Sequence, residues 1–179
     1  WFQTGSTKKF TTHSLLKNGD LVLRRGKSME SFAVYIFDKN RDYSHIGIVA
    51  IDNNKPYIIH IVPDKPDMVR KDTPEEFLSD ENASHFLILR PDFSQQELKS
   101  VANSALQFYT DKLIFDNNYS IQSDSALYCT ELVIKAFKKN NITFPDIVPQ
   151  KLKLILGTYQ VIMPGAFIEN SHFTGLLAG

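Results

Sequence analysis

The chain has 179 residues, a length that favours one domain with a core that needs neither disulfides nor a structural metal. Lys plus Arg and Asp plus Glu both total 20, so the formal net charge is zero and the basic footprint of a nucleic-acid-binding protein is missing. The single cysteine allows no internal disulfide, and no apolar run reaches the length of a membrane span.

The first half of the chain predicts strands, with one helix among them. Residues 1–14 show no clear hydrophobic period, and we expect an N-terminal arm there, before a single domain over residues 15–179. Apolar residues at helical spacing, after a serine that can cap, predict a helix over 28–38. Three apolar runs predict strands, the second and third joined as a hairpin by the turn sequence DNNKP: 19–26, 44–52 and 57–62.

The second half predicts helices, beginning at Thr73 in TPEEFL and at the capping box SQQE of residues 94–97. The second of these helices is expected to turn five residues inward: Leu98, Val101, Ala102, Ala105 and Tyr109. Residues 111–124 predict a polar loop, and the helix after it is expected to end at Asn140 or Asn141. Two further strands are predicted, at 85–91 and, as the last one, at 158–164. Strands that cluster early and helices that come late predict an α+β fold.

Cys129 lies in the sequence ALYCTELV, at the predicted start of a helix. With Asp124 or Ser125 near the N-cap, the thiol falls in or next to the first helical turn. Unpaired N–H groups and the helix dipole favour a thiolate there, and the same groups could bind an oxyanion. Cys129 is therefore a candidate nucleophile, although a lone cysteine is more often a buried core residue.

Two of the five histidines lie on the predicted hairpin, His45 at the start of one strand and His60 near the end of the next. Such positions come close across an antiparallel pair. If they share a face, His45 could take the thiol proton and His60 could orient His45, as in a Cys–His–polar triad. Each histidine taken singly is more often a hydrogen-bonded strand residue. Three sequence neighbours are candidates for oxyanion binding or support: Tyr128, Ser44 and Thr130.

A zinc site formed by Cys129, His45, His60 and a water is a further interpretation of the same residues. No closely spaced ligand pair such as CxxC or HxxxH occurs in the sequence. We therefore expect neither a metal nor another cofactor.

Four segments, in their order along the chain, resemble a known family: GDLVLRRG, YSHIGIVAID, YIIHIV and ALYCTELVIKAF. They are similar to the YiiX-like proteins, a circularly permuted papain-like branch of the NlpC-type superfamily, which also includes lecithin:retinol acyltransferase-like enzymes. In that branch the His-bearing strands come first and the Cys-bearing helix comes late. The resemblance implies an α+β, circularly permuted papain-like fold in which the Cys-bearing helix packs against an antiparallel sheet.

The resemblance also implies a cysteine hydrolase, with Cys129 as nucleophile, His45 as general base and His60 as the third member of the triad. In the YiiX-like branch an acidic residue is expected at the His60 position, whereas NlpC-type relatives often have histidine there. The implied substrate is an amide, foremost a cell-wall peptide, or a small acyl-containing ester. A lipid acyltransferase or hydrolase of the same fold, and a binding module without turnover, are the alternatives. Family habit implies export to the cell envelope, and the oligomeric state stays open.

Overall fold

The computed structural model describes residues 14–27, 42–116, 126–154 and 157–179. Most of the predicted N-terminal arm, the helix predicted over 28–38 and part of the loop predicted over 111–124 lie outside these ranges.

An antiparallel sheet of six strands forms the centre of the molecule. The strands of the described ranges are, in chain order, β1 (Leu21–Gly26), β2 (His45–Asp52), β3 (Lys55–His60), β4 (Arg70–Asp72), β5 (Ala83–Pro91), β6 (Ile114–Phe115), β7 (Ala126–Leu127), β8 (Gln150–Leu154), β9 (Gly157–Val161) and β10 (Phe173–Ala178). The main sheet has the order β10–β5–β1–β2–β3–β4, with every neighbouring pair antiparallel. Strands β6 and β7 form a short parallel pair, and β8 and β9 form a hairpin.

Helices cover both faces of this sheet. Those of the described ranges are α1 (Pro74–Phe77), α2 (Gln95–Thr110), α3 (Cys129–Lys138) and α4 (Gly165–Ile168). Helices α2 and α3 pack against β2 and against each other, whereas α1 packs beside β3 and β4. In the part of the chain that the structure describes, no helix has the length and apolar character that a membrane crossing requires. The expected α+β arrangement, with the Cys-bearing helix packed against an antiparallel sheet, is confirmed.

The sequence of strand β2 is almost continuously apolar because both faces of the strand are covered. Ile46, Ile48 and Ala50 belong to the large core beneath α2 and α3. Val49 points to the other face and belongs to a smaller core that includes Phe77 of α1. Because successive side chains of a strand alternate between faces, a strand covered on both sides needs apolar residues throughout.

Both predicted helix starts form as capping boxes. The Thr73 hydroxyl accepts the N–H of Glu76, whose carboxylate accepts the N–H of Thr73 at 2.8 Å. Ser94 and Glu97 make the same reciprocal pair, with the Ser94 N–H donating at 2.9 Å. Each box satisfies two backbone donors that would otherwise have no partner inside the helix.

The last inward residue predicted for α2 is wrong. Tyr109 is 42% exposed, and its neighbour Phe108 is buried instead. One turn beyond Ala105, either residue could face the core by spacing alone. Packing selects Phe108, whose ring lies 4.9 Å from the ammonium group of Lys139 at the end of α3. The neighbouring helix, which the local pattern does not contain, decides the choice.

Two further predictions need correction. Residues 114–115, predicted as loop, pair with residues 126–127 through β6 and β7. The strand predicted over 158–164 forms as β9, but it is not the last one, because β10 follows at the edge of the main sheet. An edge strand with only one buried residue, Phe173, carries little of the apolar alternation that marks a strand in sequence.

The Gly-Asp pair before β1 has a structural role. Gly19 has a φ of 81°, and a Cβ there would lie 2.8 Å from Cβ of Leu98 in α2. The buried Asp20 carboxylate accepts two hydrogen bonds from the Arg90 guanidinium, at 2.8 and 2.7 Å, and a third from the N–H of Lys17 at 2.8 Å. This pair therefore ties the start of β1 to both α2 and β5.

Candidate active site

A cavity of about 270 Å³ lies where several elements begin or end. Its wall includes Arg24 of β1, His45 at the start of β2, Cys129 at the start of α3 and Ile162 after β9. The predicted nucleophile and the predicted base thus line one cavity, although they lie far apart in sequence.

Cys129 is the first residue of α3, and its side chain is partly exposed. Tyr128 is the N-cap and makes no side-chain capping bond. The helix therefore begins later than the sequence predicted, since Asp124 or Ser125 was expected near the N-cap. The shift moves the thiol to the first helical position, where the free N–H groups converge.

The sulfur atom of Cys129 lies close to three backbone N–H groups. These belong to Ile46, the residue after His45, to Thr130 and to Cys129 itself, and they favour the thiolate. Burial acts in the opposite direction and more strongly. It raises the pKa of the thiol to about 11, although the nearby charge of Arg24 also favours the thiolate. The sequence predicted a stabilised thiolate, whereas the cavity favours a neutral thiol before substrate binds.

His45, His60 and Asp72 form a hydrogen-bonded chain. Nε2 of His45 lies 2.9 Å from Nδ1 of His60, and Nε2 of His60 lies 2.8 Å from Oδ2 of Asp72. Asp72 lies two positions along β4 from Arg70, the cross-strand partner of His60, and so shares its face of the sheet. The predicted His45–His60 contact is present, and it extends to a carboxylate.

Hydrogen-bond chemistry fixes the protons along this chain. The Asp72 carboxylate can only accept, so Nε2 of His60 carries its proton. A neutral His60 then has no proton on Nδ1. This nitrogen therefore accepts a hydrogen bond from the N–H at Nε2 of His45. A neutral His45 with its proton on Nε2 has an unprotonated Nδ1, as a general base requires.

Electrostatics keep both imidazoles neutral. Burial, with the charges of Arg24 and Arg70, lowers the pKa of His45 well below 6.5. Burial also lowers the pKa of His60, although the hydrogen bond with Asp72 opposes it. Burial raises the pKa of Asp72, but the hydrogen bond from His60 and the charges of Arg70 and Arg24 outweigh this, and the net shift is downward. The carboxylate is therefore the one ionised member of the chain.

Two apolar contacts hold the imidazoles in place. The Phe77 ring lies 5.6 Å from the His45 ring and 4.9 Å from the His60 ring, centroid to centroid. Gly47 faces His60, and a Cβ on it would lie 3.1 Å from Cβ of His60 and 2.5 Å from Cγ2 of Ile58. The glycine thus leaves the space into which β3 and the His60 side chain fit.

The three candidate support residues all line the cavity and all bind backbone. The Tyr128 hydroxyl accepts the N–H of Ile162 at 3.3 Å, and the Thr130 hydroxyl donates to the carbonyl of Ile162 at 2.7 Å. The Ser44 hydroxyl accepts the N–H of Gly26 at 2.9 Å. These contacts fix the cavity wall, so the donors best placed for an oxyanion are the N–H groups at the start of α3.

The hydrogen bonds do not fit a zinc site formed by Cys129, His45 and His60. Both ring nitrogens of His60 are engaged, one by His45 and one by Asp72. Across the described ranges, no group of three or more His, Cys, Asp or Glu side chains is arranged to hold a metal ion.

A family model describing permuted papain-like amidase enzymes, the YaeF/YiiX (C92) family, matches residues 15–173. The chain belongs to this family. The match confirms the resemblance seen in the sequence motifs and, with it, the circularly permuted papain-like fold. The YaeF/YiiX family is one of amidases, which agrees with a peptidase-like or amidase-like chemistry for its members.

Two relatives from Escherichia coli illustrate the family. The chain is 25% identical over 125 residues to the uncharacterized protein YiiX of strain K12, a match that covers 68% of this chain and 57% of that protein. The crystal structure of the metalloprotein YiiX from strain O157:H7 has a TM-score of 0.74 and 20% identity, covering 91% of this chain and 97% of that one. The chain thus spans little more than half of its curated relative, and the structural likeness supports the fold.

Sequence reasoning missed two residues of this YaeF/YiiX-family site. Asp72 lies in the charged stretch RKD before a helix cap, which lacks the apolar residues that mark a strand. The acidic residue that the resemblance implies was expected at the His60 position, and the structure instead places a carboxylate on the neighbouring strand. Arg24 is the last of four consecutive buried residues at the start of β1, a position where an aliphatic residue would be ordinary.

Proposed function

We propose that this chain is a cysteine amidase in which Cys129 is the nucleophile and His45 the general base. His60 and Asp72 position His45 and fix its tautomer. The observation that carries the proposal is the chain of hydrogen bonds from Asp72 through His60 to His45, which leaves His45 neutral beside a cavity shared with the thiol.

The reaction begins when His45 takes the thiol proton of Cys129 as the sulfur attacks the substrate carbonyl carbon. The oxyanion that forms is held by the N–H groups of Cys129 and Thr130 at the start of α3. The imidazolium of His45 then protonates the amine as the C–N bond breaks, which leaves an acyl thioester on the sulfur. Water, activated by His45, hydrolyses this thioester and restores the free thiol.

Amides of peptides are the first substrate class, and cell-wall peptides are foremost because of the superfamily to which the motifs point. A lipid ester or amide is a second candidate that one observation favours. One wall of the cavity is apolar, and it consists of Val161, Ile162, Met163 and Pro164. Such a wall could also bind a short acyl chain.

The test is turnover and acyl-enzyme formation on a panel of peptidoglycan fragments, peptide amides and model esters. We expect Cys129→Ala to abolish both hydrolysis and the acyl adduct that mass spectrometry of the intact wild-type protein detects. His45→Ala should lose most of the activity, whereas His85→Ala should not, because His85 lies outside the cavity. Unchanged turnover in Cys129→Ala, or no adduct and no turnover on any substrate, would contradict the proposal and leave a binding module.

A further inference from the structure

Arg24 is a buried cation in the wall of the candidate active site. It pairs with His45 across β1 and β2, lines the same cavity as Cys129 and is only 8% exposed. The mechanism proposed above gives it no role.

The guanidinium of Arg24 is held in place but not neutralised. Its Nη1 donates to the carbonyl of Phe77 at 2.6 Å, and its Cζ lies 4.4 Å above the Phe77 ring. Its Nε is buried and donates to nothing in the part of the chain that the structure describes. Within those ranges no carboxylate forms an ion pair with it, although the charges of Asp72 and Asp64 act at longer range.

A buried charge without a direct counterion is costly, and proteins rarely keep one without a use. Burial lowers the pKa of Arg24 to about 10, so the group is still charged at neutral pH. An arginine presents a planar set of donors that matches a carboxylate, the anionic group most common in peptides.

We propose that Arg24 binds a carboxylate of the substrate close to the scissile bond. The preferred substrate is then an amide that carries a free carboxylate on one side of the reacting carbonyl and an apolar group against Val161 and Ile162 on the other. This specificity rests on the amidase function proposed above and deepens it.

The main rival is that Arg24 stabilises the thiolate or the oxyanion. Three backbone N–H groups already hydrogen-bond toward the sulfur of Cys129, whereas Arg24 acts on it through charge alone. The guanidinium thus makes no hydrogen bond to the sulfur, and in this proposal it binds a neighbouring group of the substrate in the same cavity.

Two alkylating reagents of nearly equal size separate these roles. Iodoacetate carries a carboxylate and iodoacetamide does not; in both reactions the Cys129 sulfur forms a bond to the CH₂ carbon and iodide leaves, while the thiol proton goes to solvent. Because both reagents consume the same thiolate, the ratio of their rates cancels any change in the thiol pKa. The ratio thus reports recognition of the carboxylate and needs no turnover.

We expect the ratio of the iodoacetate rate to the iodoacetamide rate to be about tenfold higher in the folded wild type than in the urea-unfolded protein. A factor of about ten corresponds to the free energy of one charge-assisted hydrogen bond. Arg24→Gln should return the ratio to the unfolded value, and Arg24→Lys should retain part of it. The matched control is Lys27→Gln, which removes an exposed cation from the cavity rim and should change the ratio less than about twofold.

Equal ratios in folded and unfolded wild type would overturn the proposal, and this comparison holds even if Arg24→Gln fails to fold. An equal slowing of both reagents in Arg24→Gln would also overturn it, since that pattern belongs to a residue acting on the thiol. Charge selectivity without hydrolysis of any amide would leave the Arg24 site standing and refute the amidase function. Hydrolysis of an amide without charge selectivity would support the amidase function and refute the Arg24 site.

Discussion

Replacing Asp72 by asparagine tests the hydrogen-bonded chain behind the thiol. The amide of Asn can donate to Nε2 of His60, whereas the carboxylate can only accept. His60 would then carry its proton on Nδ1 and donate to Nε2 of His45, which leaves the His45 proton on Nδ1. A neutral His45 in that tautomer cannot take a proton from the thiol, so the substitution should impair the chemical step.

The loss of charge alone sets a lower bound on the effect. Two hydrogen bonds of 2.8 and 2.9 Å and one imidazole ring separate the Asp72 carboxylate from the ring of His45. At about 8 Å and an effective dielectric constant of about 20, the carboxylate stabilises a His45 imidazolium by about 2 kcal/mol. The Asp72 side chain is 26% exposed, so screening reduces this to about 1 kcal/mol. We therefore expect kcat to fall at least about fivefold, and about thirtyfold without screening.

The assay is steady-state kinetics on whichever amide the wild type hydrolyses, with kcat and KM measured separately. A loss in kcat at constant KM is expected, because Asp72 contacts the base and not the substrate. Asp52→Asn is the matched control: it removes a carboxylate of the same sheet, one that binds Lys71 at 2.5 Å outside the cavity. A kcat for Asp72→Asn within twofold of that control, in a protein of unchanged thermal stability, would refute the proposed role of the chain.

Three further predictions concern the protonation and the packing of the site. Because burial holds the thiol pKa of Cys129 at about 11, alkylation by iodoacetamide should accelerate about tenfold per unit between about pH 7 and 10; a plateau below about 8.5 would contradict a neutral thiol. With the His45 pKa well below 6.5, kcat/KM should fall only on the acid side of that value. A Cβ in Gly47→Ala would lie 2.5 Å from Cγ2 of Ile58, against a nearest distance of 3.8 Å in the control Gly175→Ala. In urea unfolding, the first should cost about 1–3 kcal/mol and the second under about 0.5 kcal/mol, and equal costs would show that Gly47 is not tightly packed.

Features of the fold that depend on neighbouring residues could be predicted from the sequence. The helix start at Thr73, the capping box at Ser94 and the hairpin of β2 and β3 rest on contacts within a few residues, and they form as expected. Features that depend on distant residues could not. Strand β4 is defined by its pairing with β3, and Phe108 replaces Tyr109 in the core because α3 lies beside it.

The residues of the candidate site also divide into those that local sequence patterns predict and those that distant contacts bring in. The helix start and the apolar strands point to Cys129, His45 and His60 locally, and the structure brings all three to one region. Asp72 joins them only through the pairing of β3 with β4, which no local pattern encodes. A neutral His60 by itself would orient His45 without adding charge, and Asp72 supplies the negative charge one hydrogen bond further along.

Burial favours the neutral thiol and the neutral imidazole in the free protein, but two features around the site lower the cost of proton transfer between them. Transfer from Cys129 to His45 creates a cation on the side where the Asp72 carboxylate lies, and an anion where three backbone N–H groups converge. In the free protein the charge of Arg24 opposes the protonation of His45, because it lowers the pKa of that imidazole. A substrate carboxylate bound to Arg24 would cancel that charge and raise the pKa of His45, so the base would strengthen when substrate arrives. Specificity for an anionic substrate and activation of the base would then have the same physical origin.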